Sequence, residues 1–179
     1  LVFLNWKAKT DAGAPVPWAE IASGGQDARI DAVARSAIAT NDRFRTLAKE
    51  AERLGFDSFW TTEHHFQYEG YEVLPNLVMF GQHLASQTKN LRLGQMFNVI
   101  PQWHPLRLAE DFALADIITG GRMEFGVGRG TVPREAWSLG TVVASGDNAM
   151  SAEHDRINRE IFEESIEVIK TAWTNERFS

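Results

Sequence analysis

The stretch Ala51–Thr61, AERLGFDSFWT, indicates the class of fold, because within it an amphipathic helix ends and a buried strand begins. Upstream, apolar side chains recur at helical spacing from Phe44 onward, and Asn41 is a candidate N-cap. Gly55 can stop the helix, since glycine adopts the left-handed conformation that ends many helices. The apolar and aromatic run Phe56–Thr61 then predicts a strand. A helix that leads directly into a buried strand is typical of folds in which the two elements alternate.

The same alternation extends in both directions along the chain. Further strands are predicted at Leu1–Asn5, Leu91–Val99 and Met123–Val127, and further helices from Pro75, Pro105 and Ser151. Strands that alternate with helices in this rhythm predict a parallel sheet with right-handed crossovers. A closed (β/α)8 TIM-type barrel has eight such units and about 250 residues. The sequence therefore predicts an α/β protein in which residues 1–179 supply the first four βα units, the N-terminal half of a barrel. Residues 6–40 are predicted to be an insertion, or lid, between the first strand and the first helix.

Composition narrows the classes of function. Of the 179 residues 44% are hydrophobic and 23% charged, the net charge is −6, and cysteine is absent. An acidic chain without a basic cluster has no general attraction to nucleic acids or anionic membranes, and no stretch approaches the ~18 apolar residues of a membrane span. The lack of cysteine excludes disulfides and thiolate catalysis. We expect a cytoplasmic protein that acts on small molecules.

One candidate site follows the second predicted strand. Active sites of parallel βα folds lie at the C-terminal ends of the strands, which is where Glu63, His64 and His65 occur. Imidazole exchanges protons near neutral pH, and an adjacent carboxylate can orient it. Because neighbouring side chains of an extended segment point in opposite directions, at most one histidine should face the site. The alternative, in which one histidine is structural and bonded to the backbone and the other is exposed, is equally open.

Two further clusters end the next strands. Gln95–Asn98 could form a wall for a flat ring or be ordinary core. In Gly126–Gly130, glycines let backbone N–H groups approach an anion, and Arg129 offers a fork for a phosphate. Arg156 and Arg159, near the start of the following helix, could contribute to the same site. A tight turn with an exposed arginine is the alternative interpretation.

In this order, the segments resemble those of the bacterial-luciferase-like flavin-dependent monooxygenases. The likeness covers about residues 41–177. The matching stretches are Ala51–Trp60, Glu63–Phe66, Leu91–Gly94, Ile100–Pro101, His104–Glu110, Gly120–Arg122 and Phe125–Gly130.

The resemblance implies a (β/α)8 barrel that uses reduced FMN and O2 to oxygenate a small organic substrate. A separate flavin reductase that uses NAD(P)H would supply the reduced flavin, and a homo-oligomer is expected. His64 matches the active-site histidine beside the flavin, flanked by Glu63 and His65 as further catalytic candidates. The Met96–Phe97 bond matches a place where family members can have a non-proline cis peptide. The implied cofactor-binding residues are Met96, Phe97, Asn98, Gly128, Arg129, Gly130 and Arg159. Light-emitting members carry cysteine at the position of Gly128, so light emission is not implied.

Three other functions stay open. A related barrel enzyme could use the deazaflavin F420 as a hydride carrier. A metal-dependent barrel hydrolase would need His64 or His65, His104 and a carboxylate as ligands, but these residues lack ligand-like spacing, and no metal site is predicted. A non-catalytic half-barrel would pair its edge strands with a partner.

Overall fold

Three parallel strands packed against helices form the centre of the molecule. The computed structural model describes residues 28–66, 74–144 and 149–177, with the side chains of the first helix described from residue 40. The strands are β1 (Ser58–Thr61), β2 (Arg92–Gln95), β3 (Asn98–Val99), β4 (Met123–Glu124) and β5 (Val127–Gly128). The helices are α1 (Ala28–Arg53), α2 (Leu77–Ala85), α3 (Pro105–Thr119), α4 (Pro133–Ser138) and α5 (Ala149–Thr174), with a 3-10 turn at Ile100–Gln102. The prediction of a parallel α/β sheet is confirmed, with strand order β1-β2-β4.

Two of the predicted strands are each divided into two short pieces. Leu91–Val99 becomes β2 and β3, and Met123–Val127 becomes β4 and β5. Strands β3 and β5 pair in parallel as a second ladder. The backbones approach closely at the break, because a Cβ at Gly126 would lie 1.8 Å from the carbonyl oxygen of Gln95. The sheet β1-β2-β4 is therefore followed, on the side of the C-terminal ends of its strands, by the ladder β3-β5.

The N-terminal predictions have mixed outcomes. The strand at Leu1–Asn5 and most of the proposed insertion at residues 6–40 lie outside the described residues. From Ala28 the chain is helical without interruption to Arg53. The prediction of Asn41 as an N-cap is therefore wrong, because the helix has already begun at that position. No glycine or proline occurs between residues 28 and 53 to interrupt it.

The sequence predicts some helix ends correctly and others incorrectly. Gly55 follows α1 with φ of 82°, and Phe56 N donates to Ala51 O at 3.0 Å, so the predicted stop is confirmed. Gly120 likewise ends α3 in the left-handed conformation. The helix predicted to start at Ser151 already includes Ala149, so Ser151 lies inside α5, where it is buried. Cap signals are local, and a helix that starts earlier overrides them.

The core lies between the sheet and helices α2, α3 and α5. Its fully or nearly fully buried members include Leu84, Leu91, Leu93, Ile100, Leu108, Phe112, Ala115, Met123 and Ile169. The face of α3 that carries Leu108, Ala109, Phe112 and Ala115 is buried, whereas Ile118 is 63% exposed. In the described part of the chain, no helix is both long and apolar enough to cross a membrane.

Two charged side chains hold the base of β2 in place. The carboxylate of Glu52, at the end of α1, accepts hydrogen bonds from the backbone N–H groups of residues 89, 90 and 91 at 2.6–3.1 Å. The guanidinium of Arg122 donates to the carbonyl oxygens of Ala85, Leu91 and Thr119. These contacts join α1, α2, α3 and the start of β2, so the helices cannot shift independently of the strand.

We predict that Glu52→Gln destabilises the fold by about 1–2 kcal/mol at pH 7, because charge-assisted hydrogen bonds to three backbone N–H groups are weakened. The N–H groups of Asn90 and Leu91 hold the pKa of Glu52 below its ordinary value. A lowered folded-state pKa contributes stability above the unfolded-state value, and this is lost as pH falls through the folded-state pKa. The deficit of the variant should therefore shrink below about pH 4.

Urea unfolding at pH 7 and at lower pH measures this deficit. Glu50→Gln is the matched control, because Glu50 is exposed and its hydrogen bonds go to Arg53 one helical turn away. Equal effects of the two substitutions at pH 7 would contradict the prediction.

Candidate active site

A cavity of about 550 Å³ opens at the C-terminal ends of the strands. The segments after β1, between β2 and β3, and after β5 form its walls, and α4 and α5 close one side. This volume lies within the range of small-molecule sites. Most of the predicted site residues line it, namely Glu63, His64, Met96, Phe97, Gly128, Arg129, Gly130 and Arg159.

The wall between β2 and β3 contains the Met96–Phe97 peptide bond, which is cis. This prediction from the resemblance is confirmed. The side chains of Met96 and Phe97 are 46% and 51% exposed, whereas the flanking Gln95 and Asn98 are fully buried. The pair therefore forms an apolar surface of the cavity, and the interpretation of this segment as ordinary core holds only for its flanks.

Asn98 lies behind this wall and is not among the residues that line the cavity. Its side-chain amide donates to Gly126 O at 3.2 Å and to Gln95 Oε1 at 3.4 Å. Its contacts are those of a residue that holds the two ladders together, and a direct contact with a ligand in the cavity would require Asn98 to become exposed.

Gly128 and Gly130, at the end of β5 and just after it, allow close approaches to Phe97 and to Val99. A Cβ at Gly128 would lie 2.9 Å from Cβ of Phe97 and 2.8 Å from its ring, closer than real contacts allow. At Gly130, φ is 79° and a Cβ would lie 2.7 Å from Val99. Each position needs glycine for the present geometry, and a cysteine at position 128 would displace Phe97.

His64 is held by a carboxylate from a distant part of the chain. Its Nδ1 lies 3.2 Å from Glu135 Oε1, and the same oxygen accepts the backbone N–H of His65 at 3.0 Å. Glu135 is 3% exposed and belongs to α4. With an ionised Glu135 the hydrogen of His64 is held on Nδ1, which defines both the tautomer and the ring orientation.

Neither α4 nor the role of Glu135 was predicted from the sequence. Pro133 at the first position of the helix was the available signal, since proline is favoured there. No local pattern connects Glu135 with His64, which precedes it by 71 residues.

The neighbouring histidine faces the other way. Nε2 of His65 lies 2.9 Å from Glu63 Oε1, and that carboxylate also accepts Trp103 Nε1–H at 3.1 Å and Val99 N–H at 3.4 Å. His64 lines the cavity and His65 does not, as the alternation of an extended segment predicts. His65 and Glu63 thus support the rim, although Glu63 also reaches the cavity.

Two arginines, Arg129 and Arg159, also line the cavity. Arg129 Nη1 is 2.8 Å from Asp155 Oδ1, and Arg159 Nη2 is 3.1 Å from Asp155 Oδ2. Hydrogen bonds from both guanidinium groups hold the pKa of Asp155 below its ordinary value. Asn158 donates to the carbonyl oxygens of Arg129 and Val142, which ties the loop after β5 to α5.

Other candidates lie away from this cavity. Arg156 pairs with Glu153 and Glu160 on the exposed side of α5, so the prediction that it joins the anion site is not supported. His104 precedes α3 and makes no side-chain capping hydrogen bond. Within residues 28–66, 74–144 and 149–177, no group of three or more histidine or carboxylate side chains converges as metal ligands.

Comparison with known proteins gives consistent matches. A family model described as luciferase-like monooxygenase matches residues 21–179. The oxygenase component of a flavin-dependent trigonelline monooxygenase from Acinetobacter baylyi is 38% identical over 108 residues, which cover 55% of this chain and 29% of that protein. The chain spans about a third of the length of the relatives it matches.

Solved structures agree on the fold. The oxygenating constituent of 3,6-diketocamphane monooxygenase from Pseudomonas putida, in complex with FMN, matches with a TM-score of 0.65 and 26% identity over 78% of this chain and 36% of that one. An F420-dependent secondary alcohol dehydrogenase matches with a TM-score of 0.62 over 76% of this chain and 39% of that one. Its identity is 19%, so that likeness concerns the fold alone.

We predict that Glu135→Gln removes the preference of His64 for the Nδ1-protonated tautomer, because the charged acceptor is lost. The tautomer ratio, measured by ¹⁵N NMR of the histidine side chains, should change by about fivefold, equivalent to a hydrogen bond of ~1 kcal/mol. Glu163→Gln, which removes a carboxylate that also lines the cavity, is the control and should leave the ratio unchanged. An unchanged ratio in Glu135→Gln would show that Glu135 does not orient the ring.

Proposed function

The chain belongs to the luciferase-like monooxygenase family, and from this we propose that it acts in a flavin-dependent monooxygenase that uses reduced FMN and O2 to oxygenate a small organic substrate. The observation that carries the proposal is that His64 and Arg129 line one cavity, with the apolar Met96–Phe97 wall among its other lining residues. A proton-exchanging group, a flat apolar surface and an anion-binding group are the parts that a flavin phosphate site requires.

The lining residues fit FMN in chemistry and space. The guanidinium groups of Arg129 and Arg159, which both line the cavity, would hold the phosphate. The exposed faces of Met96 and Phe97 would lie against the ring system. When bound, reduced FMN supplies the electrons for the reaction with oxygen. His64 would hold or accept a proton at its imidazole, with Glu135 fixing the tautomer.

We further propose that the described strands are consecutive strands of a (β/α)8 barrel, with residues 1–179 forming its N-terminal half. The support is that β1, β2 and β4 pair in parallel in chain order, with their C-terminal ends at one rim. Residues 6–40 would be the insertion after the first strand, although most of them lie outside the described part of the chain.

The electron supply in this proposal is a separate NAD(P)H-dependent flavin reductase. Its support is the relative from Acinetobacter baylyi, which is named as the oxygenase component of its system. Substrates differ between relatives, as the names trigonelline monooxygenase and diketocamphane monooxygenase illustrate, so the substrate class stays open. Homo-oligomerisation and a cytoplasmic location stay predictions from the sequence.

F420-dependent hydride transfer is the second candidate, supported by the fold likeness alone. The test uses protein expressed from its complete coding sequence and titrated with FMN and with F420. Protein that binds FMN is then supplied with NADH, a flavin reductase and ¹⁸O2, with a terpene, a cyclic ketone and an N-methylpyridinium compound as trial substrates. Incorporation of ¹⁸O into a product supports the proposal. Preferential binding of F420, with hydride transfer and no ¹⁸O incorporation, would replace it.

Arg129→Ala should weaken FMN binding by about 10- to 100-fold, since each charge-assisted hydrogen bond contributes roughly 1.5–3 kcal/mol. Riboflavin, which lacks the phosphate, should bind the variant as it binds the wild type. Fluorescence titration measures both constants. Arg156→Ala on the exposed side of α5 is the control, with FMN affinity expected to be unchanged. Equal losses for FMN and riboflavin would place the phosphate elsewhere.

A further inference from the structure

The two arginines of the cavity share one acidic partner. Asp155 lies on α5, one turn before Arg159, and its two oxygens accept separately from Arg129 and Arg159 at 2.8 and 3.1 Å. The three side chains are 35–55% exposed. This carboxylate therefore joins two cations that come from different elements, the loop after β5 and α5.

The arrangement differs from an ordinary surface ion pair on the same helix. One residue along the helix, Arg156 has two acidic partners, Glu153 and Glu160, and none of the three lines the cavity. Exposed pairs of this kind contribute little to stability. Asp155 is distinguished by its partners, since both of them face the cavity and both are the candidate phosphate ligands.

A carboxylate and a phosphomonoester compete for the same donors. Arginine binds both groups through paired N–H donors that lie in one plane. A donor that is already bonded to a carboxylate is less available to a phosphate. Asp155 occupies Nη1 of Arg129 and Nη2 of Arg159, and it reduces the local charge of the pair from +2 to +1. A phosphate that approaches both arginines meets this negative charge and finds one nitrogen of each guanidinium already engaged.

We propose that Asp155 is an internal counter-ion that opposes the phosphate of the cofactor and keeps its affinity low. This inference rests on the proposed function, in which flavin arrives reduced from a separate reductase and has to enter and leave the site. The opposite role, in which Asp155 only holds the two arginines in place, predicts the opposite sign when the carboxylate is neutralised.

The test compares Asp155→Asn with Glu153→Gln, which removes the same charge from the same helix next to Arg156. Dissociation constants are measured for FMN, riboflavin and inorganic phosphate, with protein from the complete coding sequence and circular dichroism as a check of folding. We expect Asp155→Asn to bind FMN and inorganic phosphate about three- to tenfold more tightly, since the charge is close but partly screened. Riboflavin should be unaffected. The gain should diminish at high ionic strength.

Each other outcome counts against the inference. Weaker FMN binding by Asp155→Asn would show that Asp155 positions the two arginines. An equal gain in FMN affinity in Glu153→Gln would show that only the net charge of the protein matters. An equal gain in affinity for riboflavin would show that the effect of Asp155 does not act on the phosphate. If the wild type binds no flavin, the proposed function fails, but the comparison with inorganic phosphate still tests whether Asp155 opposes an anion at the two arginines.

Discussion

The buried carboxylate of Glu63 is the contact on which the geometry of the rim depends. It is 4% exposed and accepts hydrogen bonds from His65, from the indole of Trp103 and from the backbone of Val99. A buried carboxylate without these donors would carry a desolvation cost of several kcal/mol. The segment after β1, the strand β3 and the 3-10 turn must therefore stay together. These contacts also determine the position of His64, because it lies in the chain between Glu63 and His65, which bond to each other.

Charged side chains hold both ends of this arrangement. At the rim, Glu63 and Glu135 each take one of two adjacent histidines, so that one ring supports the wall and the other faces the cavity. At the base, Glu52 and the guanidinium of Arg122 hold the first residues of β2 through backbone groups. The strand that leads into the Met96–Phe97 wall is thus held at its start, and the wall itself is flanked by buried amides. The position of β2 is thus defined by hydrogen bonds between charged side chains and the backbone. Such hydrogen bonds tolerate less displacement than apolar contacts do.

Features with a local physical cause could be predicted from the sequence. Gly55 ended α1 where expected, the apolar runs formed the parallel strands, and residues at strand ends, including His64 and Arg129, line one cavity. Errors arose where a local signal was overridden, as at Asn41 and Ser151 inside longer helices. The contact of Glu135 with His64 and the bridge of Asp155 between two arginines have no local signature, because each depends on how distant segments pack.

Phe97 and Gly128 lie in direct contact, and a Cβ at position 128 would lie 2.9 Å from Cβ of Phe97 and 2.8 Å from its ring. Every residue except glycine carries a Cβ, so a smaller side chain at position 97 would not by itself make room for a side chain at position 128. Position 97 can therefore be varied in size while glycine is kept at 128, whereas a library at position 128 would require the backbone to shift. A new ligand is thus accommodated more readily by replacement of Phe97 than by replacement of Gly128.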